Sequence, residues 1–187
     1  MEIRAANTSD LAGLAEIDGT IESAQYLHIE RSGEALSTSW RIEERPARQK
    51  IIEPNRMSDD AEFQLKQIVS GNDEGIALVI EHDDSPVAML LAKVDPAAAT
   101  IRLIDLRVDY DYRRQGMGTA LVYQLIQHAR ESEGVRAVVA ETVTNNFPAG
   151  AMLAKCGFDM SGVDTRRWSN HDLVKEAATL IWYAALD

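Results

Sequence analysis

Residues 112–119 read Tyr-Arg-Arg-Gln-Gly-Met-Gly-Thr and lie between a run with strand character and a run with helix character. Gly116 and Gly118 remove two Cβ atoms where the chain leaves a strand and opens a helix, so the backbone there can approach a ligand closely. The N–H groups of a first helical turn have no intrahelical partner, and the helix dipole adds positive potential at that end. The turn is therefore a candidate cradle for phosphate. Two carboxylates flank this region in sequence. Asp105 precedes the turn and Glu141 follows the helix, and either carboxylate can accept a proton or attract a cation without proton transfer. Asp109 and Asp111 are read as turn residues.

Several elements must position these groups. Ile76 to Glu81, Val87 to Val94 and Thr100 to Asp109 read as strands joined by turns short enough for antiparallel hairpins, a β-meander. In the third run Ile101 and Leu103, then Ile104, Leu106 and Val108, put apolar groups on both faces, as in a central strand covered on both sides. Met117, Leu121, Val122, Leu125, Ile126 and Ala129 recur at helical spacing after the turn. Val135 to Val143 reads as the next strand, which closes a βαβ unit whose two strands should be parallel. A short helix over Pro148 to Cys156 and strands over Phe158 to Arg167 and Ala178 to Leu186 complete the chain. At the N-terminus, Ile3 and Ala5 mark a strand, and Thr8-Ser9-Asp10 supply capping side chains to a helix carrying Leu11 and Leu14. Asp59-Asp60 are read as the cap of a helix ended by Gly71-Asn72. Gly19 to Asn55 shows no clear pattern, and irregular or substrate-facing structure is expected there.

The composition excludes several classes. A chain of 187 residues is expected to be one domain, burying roughly 70% of its unfolded surface without disulfide or metal staples. Its single cysteine, Cys156, and four scattered histidines supply no metal-ligand spacing, so no metal is expected. A net charge of −11 argues against nucleic acid, whose binding needs Lys and Arg to replace counterions, and an acidic surface favours cationic partners. No apolar run reaches the ~20 residues of a membrane span, and the N-terminus has no signal-peptide pattern, so a cytoplasmic protein is expected. The glycine turn itself lacks the third glycine of a dinucleotide fingerprint, since Leu121 stands there, and lacks the Gly-Lys-Ser/Thr of a Walker loop.

In context the segment resembles the acyl-CoA-binding core of the GNAT superfamily of N-acetyltransferases. Arg113-Arg114-Gln115-Gly116-Met117-Gly118 fits that family's Arg/Gln-x-x-Gly-x-Gly/Ala pattern, Ile104-Asp105-Leu106-Arg107-Val108 resembles its splayed central strand, and Asn146-Phe147-Pro148-Ala149 resembles its Asn-x-x-Ala element. Within the family, Ala140 to Ala149 and Ala154 to Phe158 are similar to the streptothricin (nourseothricin) acetyltransferase branch. One position departs from it: Leu153 stands where that branch carries a tyrosine able to protonate the departing thiolate.

The resemblance implies an α/β (α+β) GNAT-type fold, with a mixed central sheet of about six to seven strands, a β-meander and a βαβ acyl-CoA-binding unit. It places the donor core at residues 98–158 and the substrate side at 19–60. It also implies acetyl-CoA as co-substrate. Backbone N–H groups of Gln115, Gly116, Met117, Gly118 and Thr119 would hold its pyrophosphate with help from Arg113 and Arg114. Leu106 and Val108 would pair with the pantetheine arm through their backbones, and Asn146 would bind the cofactor, cap its helix, or both. The expected acceptor is a small cationic amine, with streptothricin as the sharpest candidate, a peptide amine as the alternative, and acyl-CoA binding without turnover as the reading motivated by Leu153. Paired subunits are common among the proteins it resembles.

Overall fold

The computed structural model describes residues 2–186. Among these residues the chain forms nine strands and four α-helices. In order they are β1 (Ile3–Ala5), α1 (Leu11–Ala15), β2 (Ile21–Glu34), β3 (Ser37–Glu53), α2 (Asp59–Val69), β4 (Gly75–His82), β5 (Ser85–Asp95), β6 (Thr100–Val108), α3 (Met117–Glu131), β7 (Ala137–Val143), α4 (Phe147–Lys155), β8 (Asp159–Asp164) and β9 (Thr179–Ala185). Seven strands make a mixed sheet in the order β1-β4-β5-β6-β7-β9-β8, and β2 with β3 make a separate two-stranded sheet. The chain divides into two compact units, residues 1–20, 54–140 and 183–187 in the first, residues 21–53 and 141–182 in the second.

In the first unit the meander forms as the alternating apolar runs predict: β4 pairs antiparallel with β5, and β5 with β6. Val87 to Ala92 of β5 are all buried. Side chains alternate across a strand, so Met89 and Leu91 share one face and Ala88, Leu90 and Ala92 the other. Met89 and Leu91 join Leu14, Ile17, Leu65 and Val79 in a core cluster. The helix α3 buries the predicted stripe, Met117 through Ala129, and touches β5 and β6. β6 pairs parallel with β7, Thr100–Arg102 opposite Ala137–Val139.

The two apolar phases of β6 have a cause that the sequence reading did not anticipate. Leu91 of β5 faces Asp105 while its neighbour Ala92 faces Leu103, so Ile104 is an extra residue in the ladder. A one-residue bulge reverses the inside–outside alternation. Leu103 therefore belongs to one phase, and Leu106 and Val108 to the next.

Two expected caps are corrected. The helix α1 receives no side-chain cap from Asp10. That carboxylate instead accepts from the Arg4 guanidinium at 2.8 Å and from the Asn7 N–H at 2.7 Å. The Arg4 hydrogen bonds hold Asp10 below the usual carboxylate range despite its burial. For α2 the cap is Ser58, whose hydroxyl accepts from the Ala61 N–H, while Asp59 and Asp60 sit in the first turn, where negative charge suits the dipole.

In the second unit the largest correction falls on Gly19 to Asn55. The stretch is not irregular: β2 and β3 form a long antiparallel ribbon closed at Ala35 and Leu36. Its register is broken between Ser23 and Gln25, where Gln25 faces Pro46, and proline is tolerated in strands at such irregularities. Only Ser23 and Ile29 of β2 are buried, so the ribbon never shows the alternation of a half-buried strand. Many of its cross-strand partners are polar or charged, including Glu30 opposite Arg41 and Tyr26 opposite Arg45, while Ile29 faces Ile42. The helix α4 packs against β2, where Gly150 leaves room for Trp182 and Leu27, and the Leu27 N–H donates to the Thr144 carbonyl at 2.9 Å. The strand β8 ends at Asp164, before the predicted Arg167, because the Asp164 carboxylate turns the chain by accepting from the Arg166 N–H at 2.9 Å.

Candidate functional site

In the first unit the segment from β6 to α3 places the predicted donor-side residues in one continuous stretch. Val87 O accepts from the Asp109 N–H at 2.8 Å, which holds the end of β6 against β5. A single 3-10 turn over Tyr110–Tyr112 follows, with the Asp109 carboxylate accepting from the Asp111 N–H, the turn role expected of it. Arg114 then takes a left-handed conformation, φ 63°, and Gly116 another, φ 83°, as the N-cap of α3. A non-glycine residue pays for such a φ with steric strain, and at Gly116 the missing Cβ removes it.

Gly116 brings no capping side chain, and a Cβ built on it would meet nothing within 4 Å. The first intrahelical bond of α3 runs from the Ala120 N–H to the Gly116 carbonyl at 2.9 Å. The N–H groups of Met117, Gly118 and Thr119 precede that bond and carry the orphan donors of the helix start. Met117 is buried and anchors the turn from below, while Arg114, Gln115 and Gly116 are exposed. The arrangement is an uncapped, positively polarised backbone cradle with open space beside it, and it fits a phosphate-bearing ligand.

The Arg113 guanidinium points elsewhere. Its Nε donates to the Val108 carbonyl at 3.0 Å, Nη1 to the Thr20 carbonyl at 2.6 Å and Nη2 to the Asp18 carbonyl at 2.9 Å. Leu106 and Val108 follow the bulge, beyond the three residues of β6 that pair with β7. Asp105 and Arg107 alternate with them. Arg107 Nε and Nη2 hold the two Asp105 oxygens at 2.8 and 2.9 Å, and Arg107 Nη1 donates to the Asn55 carbonyl. Burial pushes the Asp105 carboxyl above its ordinary value, against the opposing Arg107 hydrogen bonds. Sequence reasoning missed Arg107. The one available signal was a charged residue inside an apolar strand two positions from a carboxylate, the spacing that shares a face.

In the second unit Glu141 lies near the end of β7, half-buried, with its carboxylate 3.1 Å from Arg167 Nη2. Arg167 also lies over the ring of the exposed Trp168, 6.0 Å from its centroid. Asn146 is the N-cap of α4 but makes no side-chain cap bond; its carbonyl accepts from Ala149 and Gly150 instead. Of the two roles expected for Asn146, capping is not the one its side chain takes. The neighbouring Asn145 is buried and donates through Nδ2 to both Glu53 oxygens at 3.2 Å, a contact with no signal in the sequence. Leu153 is buried in this unit, as is Cys156. Among the described residues no group of three or more His, Cys, Asp or Glu is placed to hold a metal, and no helix is long and apolar enough to cross a membrane.

Comparison with known proteins follows the same lines. The sequence profile of the Acetyltransferase (GNAT) family matches residues 37–158. Streptothricin acetyltransferase A of Bacillus subtilis (strain 168) is 37% identical over 79 residues, 42% of this chain and 44% of that protein. Streptothricin acetyltransferase of Escherichia coli is 32% identical over 69 residues, 35% of this chain and 40% of that protein. The chain thus spans less than half the length of these curated relatives. Among solved structures, nourseothricin acetyltransferase superposes with a TM-score of 0.78 at 18% identity, covering 100% of this chain and 98% of the other. A protein assigned as a streptothricin acetyltransferase of Bacillus anthracis str. Ames, solved in complex with acetyl coenzyme A, gives 0.76 at 21% identity, covering 100% and 97%. At these identities the structural likeness establishes the fold, and it is the mixed-sheet fold expected from the motifs.

Proposed function

Because the chain belongs to the GNAT acetyltransferase family, we propose that it transfers an acetyl group from acetyl-CoA to a primary amine of a small cationic substrate, with a streptothricin-like antibiotic as the leading candidate. The observation that carries this reading is the uncapped start of α3, with Gly116 at φ 83°. Hydrogen bonds to a charged acceptor are worth about 1.5–3 kcal/mol each, so the N–H groups of Gln115 to Thr119 suffice to anchor a pyrophosphate. Arg114, exposed beside them, adds charge. The backbones of Leu106 and Val108 would pair with the pantetheine arm as an added strand does, and the Asn146 side chain would add a polar contact. Residues 98–158 would serve as the donor core of a single domain and 19–60 as its substrate side.

The reaction is attack by the neutral amine on the thioester carbonyl; the new C–N bond forms as the C–S bond breaks and the thiolate leaves. Holding both reactants in place supplies much of the rate. Of the two carboxylates, Glu141 suits the task of receiving the ammonium and its proton. Asp105 is locked in a buried pair with Arg107, whereas Glu141 is half-buried and its partner Arg167 is exposed. The streptothricin acetyltransferases to which the chain is similar support the choice of substrate. Buried Leu153, which offers no proton, favours a second reading in which acyl-CoA binds without turnover.

Incubation of the protein with acetyl-CoA and streptothricin, following thiol release and the mass of the antibiotic, tests the proposal. An acetylated product with stoichiometric thiol supports it. Cofactor binding with no product from streptothricin or a panel of other amines favours the second reading.

A further inference from the structure

The chain leaves the first unit after Thr20, runs through β2 and β3, and returns at Pro54. Both of these roots are held by arginines of the segment that leads into the glycine turn. Arg113 donates to Asp18 and Thr20 carbonyls on the outgoing side, and Arg107 to the Asn55 carbonyl on the returning side. Gly19 completes the junction: a Cβ there would stand 2.5 Å from both Arg107 Nη1 and the Asn55 carbonyl oxygen. The outgoing and returning chains therefore meet at one buried guanidinium, and Arg107 is 4% exposed. The Arg113 fork has an N–H from each of its three nitrogens on a backbone carbonyl and a face over the Tyr110 ring at 5.2 Å. A guanidinium carries five N–H donors in a fixed plane, so this set of contacts also dictates where the plane lies.

We propose that Arg113 and Arg107 form a clamp on the two roots of the β2–β3 ribbon, and that Arg113 is a positioning residue and not a phosphate ligand. Three simultaneous carbonyl contacts need a planar fork; a phosphate contact needs only charge within reach. The clamp bears on the substrate side only under the acetyl-transfer reading above, but the clamp itself stands without it.

Two measurements on Arg113→Ala decide the matter: hydrogen exchange of the amides in residues 21–53, and the dissociation constant for CoA by calorimetry. The clamp predicts exchange faster by on the order of tenfold in that span, because local opening no longer breaks three hydrogen bonds. It also predicts a CoA constant within about fivefold of the parent, since no charge-assisted phosphate contact is lost. Arg113→Lys keeps the charge without the fork and should exchange like Arg113→Ala. Unchanged exchange in 21–53, or a CoA constant raised more than about fivefold and restored by lysine, overturns the proposal. Should Arg113→Ala not fold, Gly19→Ala presses on the opposite root without removing any charge. It should then show the same pair of results, and normal exchange in that variant counts against the clamp. Failure of the parent protein to bind CoA would sink the acetyl-transfer reading alone, because the exchange measurement needs no ligand.

Discussion

Asp105 and Arg107 stand two residues apart on β6 and grip each other through two parallel hydrogen bonds, 2.8 and 2.9 Å long, with the arginine side chain 3% exposed. The pair occupies one face of the strand whose opposite face carries Leu106 and Val108. Its geometry makes Asp105 a partner of the fold before it is anything else.

Removal of the arginine should therefore be costly. Arg107→Met strands a buried carboxylate, and breaking such a pair typically costs about 3–5 kcal/mol. The loss should depend on pH in a defined direction. Asp105 is already raised above its unfolded value by burial, so its contribution to stability is whole below the ordinary carboxylate range and is lost as pH rises through the raised folded value. Without Arg107 that value climbs further. The deficit of the variant should then be largest near neutrality and shrink on acidification, as urea midpoints across that range would show.

The turn makes a second, separable prediction. Gly118→Asp places a side chain and a negative charge in the first turn of α3, where they obstruct an incoming phosphate while the dipole tolerates them. CoA affinity should fall by at least about a hundredfold, the loss of two or more charge-assisted contacts, with the melting temperature nearly unchanged. Retained affinity in calorimetry would place the phosphate elsewhere.

Leu153 makes a third. It is 2% exposed, so Leu153→Ala should cost about 2–5 kcal/mol. Leu153→Tyr adds volume at the same place and should cost about 1–3 kcal/mol through overpacking. If departure of the thiolate limits turnover, the tyrosine variant should nonetheless show a higher kcat at unchanged acceptor KM. A stable variant with no gain would show that protonation of the thiolate is not limiting.

What could be read from the sequence was whatever depends on neighbours along the chain. Gly116 at φ 83° is required by the turn in which it sits, the α3 stripe is a 3.6-residue period, and the meander follows from apolar runs broken by short turns. Each of these signals lies within a few residues, and the family motifs sit on the same local features. Tertiary structure decided the rest. The β2–β3 ribbon showed no period because few of its side chains are buried and its pairing is carried by backbone bonds and cross-strand charges. The bulge at Ile104 exists only relative to β5. The task of Arg113 depends on carbonyls 93 and 95 residues away, and backbone carbonyls leave no residue-type signature in a sequence. The glycine turn that opens α3 was legible because its residues are consecutive, whereas the arginines beside it acquired their partners only when distant segments of chain were brought together.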